Sequence, residues 1–271
     1  GEPLISSSFA WRLILSGPGS AAENMALDEA VASAVRNGQA PPTLRLYSWT
    51  TPSVSLGVFQ PISEIDAAYC SGHAIPIVRR PTGGRAILHG DELTYSFSAA
   101  AECSLFGTRL RVAYRALSAA FALAFRHIGL DVVVRNRPEA GRILTRSALC
   151  FQSVSYGELT VSGKKIIGSA QKRWPNGFLQ QGSIPFSVDA AHSAAVFRKR
   201  TSDENCAGLR SFLDDFDHNA LQRAVITAFE KTFTTRLVET LPSRQETAMA
   251  ARLTEEKYRS QTWTEALSRR R

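Results

Sequence analysis

Residues 150–171 read C-F-Q-S-V-S-Y-G-E-L-T-V-S-G-K-K-I-I-G-S-A-Q. A single thiol enters the stretch, and two β-prone runs then flank Ser162-Gly163. That pattern predicts a hairpin, with Tyr156 to Val161 as one strand and Lys165 to Ala170 as the other. Lys165 falls just past the turn, and Gly168 interrupts the second strand. A glycine inside a strand has nothing to pack and often marks close approach of a ligand or another backbone. In this stretch Cys150 is the candidate nucleophile and Lys165 the cation that assists it.

Working outward, Trp11 to Leu15 reads as a first strand. Ser20 and Glu23 form a capping box that opens a helix to about Arg36. Leu27, Val31 and Ala34 give that helix an apolar stripe, while Asn24 and Asp28 share a face at i, i+4. These two polar residues either line a site or simply belong to the cap region. Leu44 with Leu46, then Val54 to Phe59, mark two strands. Ser63 opens a short helix through Tyr69, and Ile75 to Val78 and Leu93 to Phe97 are further strands. Leu110, Tyr114, Leu117, Phe121, Phe125 and Ile128 recur at spacings of three and four, so a helix from Thr108 to Ile128 buries one face. Asp131 to Val134 returns as a strand. The Arg-rich loop 136–149 then delivers Cys150, and loops carry chemistry disproportionately. Past the hairpin, Phe178 to Gln181 and Ser183 to Phe186 read as two strands. From about Asp189 helices dominate, at His218 to Thr232 and Arg244 to Tyr258, with one strand-like piece at Arg236 to Glu239.

The chain has 271 residues and is 44% hydrophobic, enough for one large core. No apolar run approaches the ~20 residues of a membrane span. The N-terminal residues lack the basic-then-apolar pattern of a signal peptide, so the expected compartment is the cytoplasm. Cys70, Cys103, Cys150 and Cys206 show no C-x-x-C spacing, and the five histidines form no H-E-x-x-H set, so no metal site is expected. The net charge of +8 favours an acidic partner, either nucleic acid or a carrier protein. The basic residues are dispersed, and no nucleic-acid-binding motif is apparent.

Arg79-Arg80-Pro81-Thr82-Gly83-Gly84-Arg85-Ala86-Ile87-Leu88-His89 is the second stretch with chemical content. A Thr-Gly-Gly turn lets backbone N–H groups approach a ligand, because no Cβ intervenes. The flanking arginines suit a phosphate or a carboxylate. Neither the P-loop nor the dinucleotide fingerprint is present. On composition alone an ordinary hairpin turn with surface arginines is the better explanation of the segment. A lone cysteine is likewise more often an apolar filler than a nucleophile. The nucleophile reading requires a thiol pKa lowered from ~8.5 by a nearby cation, and Lys165 and His89 are the candidates.

Taken together, the motifs resemble the lipoate–protein ligase A / octanoyltransferase / biotin protein ligase superfamily. R-R-P-T-G-G-R-A-I-L-H at 79–89 is similar to its lipoyl-pocket signature, and G-K-K-I-I-G-S-A-Q at 163–171 to its lysine-bearing hairpin. Gln180-Gln181-Gly182-Ser183 resembles the strand that follows. N-M-A-L-D-E-A at 24–30, V-S-L-G-V-F-Q at 54–60 and T-E-E-K-Y at 254–258 also fit, in order along nearly the whole chain. A-L-C-F at 148–151 resembles the LipM-type octanoyltransferases, where the cysteine carries the acyl group.

The resemblance implies an α/β (α+β) catalytic domain of mixed, largely antiparallel sheets flanked by helices. It would span residues 1–271 as one domain, with 188–271 a mainly helical section packed on it. It implies an acyl pocket at Arg80, Thr82, Gly83, Gly84, His89, Gly168, Ser169 and Ala170, with His89 favoured as a buttress of the loop. It further implies cofactor-free transfer of octanoyl from acyl carrier protein, through Cys150, to a lysine. The acceptor would be a lipoyl domain of a 2-oxoacid dehydrogenase E2 subunit or the glycine-cleavage H protein. An ATP-dependent lipoate ligase, and a LipL-type amidotransferase using octanoylated H protein, are the enzymatic alternatives. A non-catalytic binding module is the third.

Overall fold

A computed structural model of the chain describes residues 10–107, 109–135, 157–197 and 206–266. In chain order the elements are β1 (Ala10–Gly19), α1 (Ala21–Arg36), β2 (Thr43–Trp49), β3 (Ser53–Leu56), α2 (Ala67–Gly72), β4 (Ile77–Arg79), β5 (Ile87–His89), β6 (Glu92–Ala100), α3 (Leu110–His127) and β7 (Val133–Arg135). They continue with β8 (Glu158–Val161), β9 (Lys164–Lys165), β10 (Gly168–Trp174), β11 (Gly177–Pro185), α4 (Ala190–Val196), α5 (His218–Phe233), β12 (Arg236–Glu239), α6 (Arg244–Leu253) and α7 (Gln261–Glu265).

The main sheet has six strands in the order β10-β11-β6-β2-β1-β12. The pairings from β10 to β2 are antiparallel, and those of β2 with β1 and β1 with β12 are parallel. Helices cover both faces, so successive residues of a strand enter different cores. Leu44 and Leu46 of β2 and Phe97 of β6 face the large cluster that contains Phe121 and Phe125 of α3 and Val225 and Phe229 of α5. Tyr47 and Trp49 face Met25 and Ala26 of α1. Each buried aromatic or aliphatic side chain contributes roughly 1.5–3 kcal/mol. Two small sheets, β4-β3-β5 and β7-β8-β9, complete the body. It is the mixed α/β arrangement of sheets and flanking helices that the motifs implied.

The capping box of α1 is present: Ser20 N donates to Glu23 Oε2 at 3.2 Å, and Ser20 Oγ accepts from Glu23 N at 3.4 Å. Four element assignments change. The helix expected from Ser63 is a short 3₁₀ turn at Ile62–Glu64 followed by α2. Asp66 caps α2 by accepting from Tyr69 N at 2.9 Å, a stronger start signal than Ser63. The two strands expected either side of Gly182 are one, β11. Gly182 does not break it; a Cβ there would lie 2.1 Å from Tyr95 Cε1, so the glycine makes room for a ring.

The helix expected over Arg244 to Tyr258 is α6 followed by a π-type turn at Thr254–Tyr258. The hairpin is real but shorter than expected. Ser162 and Gly163 both have positive φ, +50° and +78°, as a two-residue primed turn requires. On the hairpin side, β8 pairs in ladder register with Lys164 and Lys165. Ile166 and Ile167 are both buried, which a continuing one-sided strand does not allow, and at Gly168 the chain joins the main sheet as β10.

Candidate functional site

The loop after β4 is braced from within. Arg80 is buried, and its guanidinium donates to Gly83 O at 2.5 Å, Arg85 O at 2.7 Å, Ser55 O at 2.9 Å and Ser55 Oγ at 3.1 Å. Burial pulls its pKa well below the ordinary guanidinium range, to about 10. Arg79 also donates to backbone carbonyls, and Arg85 sits 4.0 Å from Glu64. Arg79 and Arg80 therefore shape the turn instead of reaching outward for an anion. Gly84, at φ +85°, lies where a Cβ would be 3.6 Å from Ala170 Cβ. Gly57 backs it: a Cβ at Gly57 would fall 1.9 Å from Gly84 O.

Beneath this loop a buried hydrogen-bond chain runs into α1. Thr82 Oγ1 donates to Gln181 Oε1 at 2.8 Å, and Gln181 Nε2 donates to Asp28 Oδ2 at 2.7 Å. Asp28 also accepts from Arg45 Nη1 at 2.7 Å, Tyr47 OH at 2.7 Å and Ser96 Oγ at 2.6 Å. Asp28 is wholly buried, so these donors replace its lost hydration.

His89 is buried with both ring nitrogens bonded: Nε2 lies 2.7 Å from Ser55 Oγ, and Nδ1 lies 2.8 Å from Glu92 Oε1. Its ring stacks on Trp49 at 4.0 Å. Burial alone would raise the Glu92 carboxyl. The His89 imidazole and the hydroxyls of Thr94 and Ser183 outweigh it and hold the pKa below the ordinary value. Through Ser55, His89 and Arg80 share one partner, which is the geometry of a buttress.

β10 presents its residues alternately. Ala170 faces the Gly83-Gly84 turn, whereas Ser169 Oγ lies 2.7 Å from Tyr95 OH on the α3 side. Burial pushes the Tyr95 hydroxyl up to about 12, and that of Tyr114, 3.4 Å from Ser169 O, upward as well. A Cβ at Gly168 would meet no atom within 4 Å, so this glycine borders open space. Lys165, three residues upstream, is partly exposed, and its Nζ lies 3.3 Å from Glu158 Oε1. Its backbone carbonyl accepts from Ala207 N at 3.0 Å.

Cys150, Tyr156 and the Arg-rich loop 136–149 lie outside the described residues, as does Thr108. The two ends flanking Cys150 do meet: Gly157 N donates to Arg135 O at 3.1 Å. Gly157 packs against Ser118 and Tyr114 of α3, so the downstream tether of Cys150 starts beside the helix that touches β10.

Arg80, Thr82, Gly83, Gly84 and Ala170 thus come together, with His89 behind them. Ser169 is on the same strand but turned away, and Lys165 lies along the chain before Gly168. Asp28, one of the two polar residues expected either to line a site or to belong to the cap region, carries the arrangement with Gln181 and with Glu92, which the sequence did not point to. The available signal was the N-x-x-x-D spacing of Asn24 and Asp28 inside an apolar helix face. Asn24 Oδ1 indeed accepts from Arg45 Nη2 at 3.0 Å. Among the described residues, no three His, Cys, Asp or Glu side chains group to hold a metal.

The family model described as "Lipoyl protein ligase A/B catalytic domain" matches residues 20–230. An octanoyltransferase LipM of Kyrpidia tusciae is 41% identical over 214 residues, covering 74% of this chain and 78% of its own. One from Carboxydothermus hydrogenoformans is 32% identical over 265 residues, covering 93% and 97%. Among solved structures, a bipartite lipoate protein ligase of Thermoplasma acidophilum, described with its E2 lipoyl domain, superposes with a TM-score of 0.79. It is 24% identical and covers 97% of this chain and 99% of its own, a likeness of fold.

Proposed function

The chain belongs to the lipoyl protein ligase A/B catalytic domain family, and on that premise we propose that it is an octanoyltransferase acting on lipoyl domains. The similarity to LipM octanoyltransferases along almost the full length carries this reading. The catalytic unit is the chain as a whole. The donor is octanoylated acyl carrier protein. The acceptor is a lipoyl-domain lysine of a 2-oxoacid dehydrogenase E2 subunit or of glycine-cleavage H protein. The net charge of +8 suits acidic carriers on both sides.

Cys150 thiolate attacks the thioester carbonyl of the donor, expelling the carrier thiol and holding octanoyl as a new thioester. The deprotonated amine of the acceptor lysine then attacks that thioester, forming the amide and releasing Cys150. The donor is already activated, so no ATP is consumed. Lys165 stabilises the thiolate and the oxyanion that develops on the acyl carbonyl. The Gly83-Gly84 turn, Gly168 and Ala170 wall the octanoyl chain. Its burial contributes roughly 0.8 kcal/mol per methylene. Arg80, Thr82 and His89 hold the wall in shape. Ser169 serves it from the other side, through Tyr95.

Intact-mass spectrometry after incubation with octanoyl carrier protein tests this. One octanoyl group should load, hydroxylamine should remove it, and Cys150→Ala should not load. Equal transfer by wild type and Cys150→Ala would remove the thioester step. Octanoate attachment that requires ATP would instead identify a ligase, and loading only from octanoyl H protein an amidotransferase.

A further inference from the structure

Arg79 is wholly buried, and among the described residues the hydrogen bonds of its guanidinium all go to backbone carbonyls. Half lie on the segment after β3: Gly57 O at 2.9 Å, Val58 O at 3.3 Å and Gln60 O at 2.7 Å. Half lie on α7: Trp263 O at 3.2 Å from Nε, and Thr264 O at 3.1 Å from Nε and 2.8 Å from Nη2. Trp263 Nε1 donates back to Arg79 O at 2.8 Å. A buried guanidinium is tolerated only when its N–H groups are satisfied, so withdrawal of α7 would leave Arg79 half-satisfied at the root of the ligand loop.

The other end of the same segment is fastened to α1. The π-type turn places Lys257 Nζ 2.7 Å from Glu29 Oε2, and the Tyr258 hydroxyl donates to the same carboxylate. Lys257 also lies over the Trp263 ring, 4.3 Å from its centroid, and Tyr258 meets that ring edge-on at 6.3 Å. π-turns appended to helices recur where a side chain must be placed off the regular register. Here the turn aims two residues at one carboxylate and leads the chain on to Arg79.

We propose that residues 254–266 are a strap that sets the ligand loop at 80–85 through Arg79, with Trp263 as the positioning residue. The proposal rests on the reading that this loop walls the acyl chain. Arg79 is the last residue of β4, and the loop starts at its neighbour. Two amides report the loop's state: Arg80 N donates to Leu56 O at 2.9 Å, and Val58 N donates to Thr82 O at 2.9 Å. When the strap lifts, both bonds weaken, while helices α3 and α5, which belong to the large cluster on the other face and not to the Tyr47–Trp49–Tyr258 cluster that Trp263 packs against, stay closed.

Hydrogen exchange on the full chain tests this in Trp263→Ala and Trp263→Phe. Phenylalanine keeps a smaller aromatic ring against Lys257 and Tyr258 and removes the N–H donated to Arg79 O. In Trp263→Ala, peptides spanning Val58 and Arg80 should exchange at least tenfold faster, with peptides of α3 and α5 unchanged. Trp263→Phe should lie between Trp263→Ala and wild type. The single-turnover rate of octanoyl loading should fall in the same order. Unchanged exchange at Val58 and Arg80, or a uniform rise that includes α3 and α5, would overturn the strap. If Trp263→Ala does not fold, Trp263→Phe alone decides by the same criterion. If wild-type protein loads no octanoyl group, the functional reading fails, and the exchange data still decide the strap.

Discussion

Gln181 Nε2 and Asp28 Oδ2 lie 2.7 Å apart, and this contact joins β11, the strand under the 80–85 loop, to helix α1. Gln181 spends its other amide atom on Thr82, so the loop, the sheet and the helix share a single side chain. Asp28 meanwhile forms a buried ion pair with Arg45 at 2.7 Å. The carboxylate is the only acceptor shared by Gln181, Arg45, Tyr47 and Ser96 in this hydrogen-bond set, and its charge is what matches the guanidinium.

Asp28→Asn should therefore be severe. It replaces an acceptor with an NH₂ group facing donors and leaves Arg45 buried without its counter-ion. Loss of about 3–5 kcal/mol is expected, the usual cost of breaking a buried pair. Gln181→Ala leaves the charge pair intact and should cost about 1–3 kcal/mol, the penalty of unpaired polar groups. Urea midpoints of the two variants check the ranking; a smaller loss for Asp28→Asn than for Gln181→Ala would contradict it.

Lys165 pairs with Glu158 at 3.3 Å across β8 and β9. Both side chains are part-exposed, so the pair contributes little to stability. Lys165→Ala should leave the melting temperature within about a degree yet slow both acyl loading and acyl transfer by about 10²-fold, the cost typical of removing one donor at a developing oxyanion. Rapid-quench measurement of each half-reaction checks this. Full activity in the variant would remove Lys165 from the mechanism.

Gly57→Ala should damage the loop by a different route. The new methyl would overlap Gly84 O, a backbone atom with no flexible end to swing aside. Overpacking of this kind costs typically 1–3 kcal/mol. Ala substitution at Gly168, where a Cβ meets nothing within 4 Å, should leave the melting temperature unchanged. Under the proposed function Gly168→Ala should nevertheless raise KM for the octanoyl donor, because the open space is where the chain would lie. Parallel melts and steady-state kinetics separate the two effects.

The periodic elements were legible in the sequence because their signals are local. The α3 stripe at Leu117, Phe121 and Phe125, the Ser20–Glu23 box and the Ser162-Gly163 turn each depend on residues within a turn or two of one another, although Leu110, expected at the head of the stripe, is exposed. What escaped was set by distant contacts. Gly182 reads as a breaker until Tyr95 is placed over it, and Lys165 to Ala170 reads as one strand until two sheets compete for it. Of the site, the Thr-Gly-Gly turn was visible as a turn, but the direction of Arg80 was not. A guanidinium that folds back onto Gly83 O and one that reaches for a ligand have the same sequence. Asp28 was visible as a polar residue on the α1 face, but its partners were not, since Arg45, Tyr47, Ser96 and Gln181 come from three different strands.

The acid limb of stability should carry the signature of Glu92. Its carboxyl is held below the ordinary value of 4.5 by His89, Thr94 and Ser183, in spite of burial. A carboxyl depressed in the folded state takes up its proton first in the unfolded chain. Between the unfolded and folded values the unfolded state therefore binds more protons, and stability falls as pH falls. The contribution is fully present above about 4.5 and is lost as the pH drops through the folded value. A Glu92→Gln variant has no such term. It should be less stable than wild type at pH 7, and the gap should narrow as the pH is lowered from 5 toward 3.5. The narrowing has a limiting slope of about 1.4 kcal/mol per pH unit for one proton. Urea midpoints across that range measure it directly. A gap that stays constant with pH would mean that the Glu92 carboxylate is not the charged partner of His89 and that the buttress is held by neutral hydrogen bonds alone.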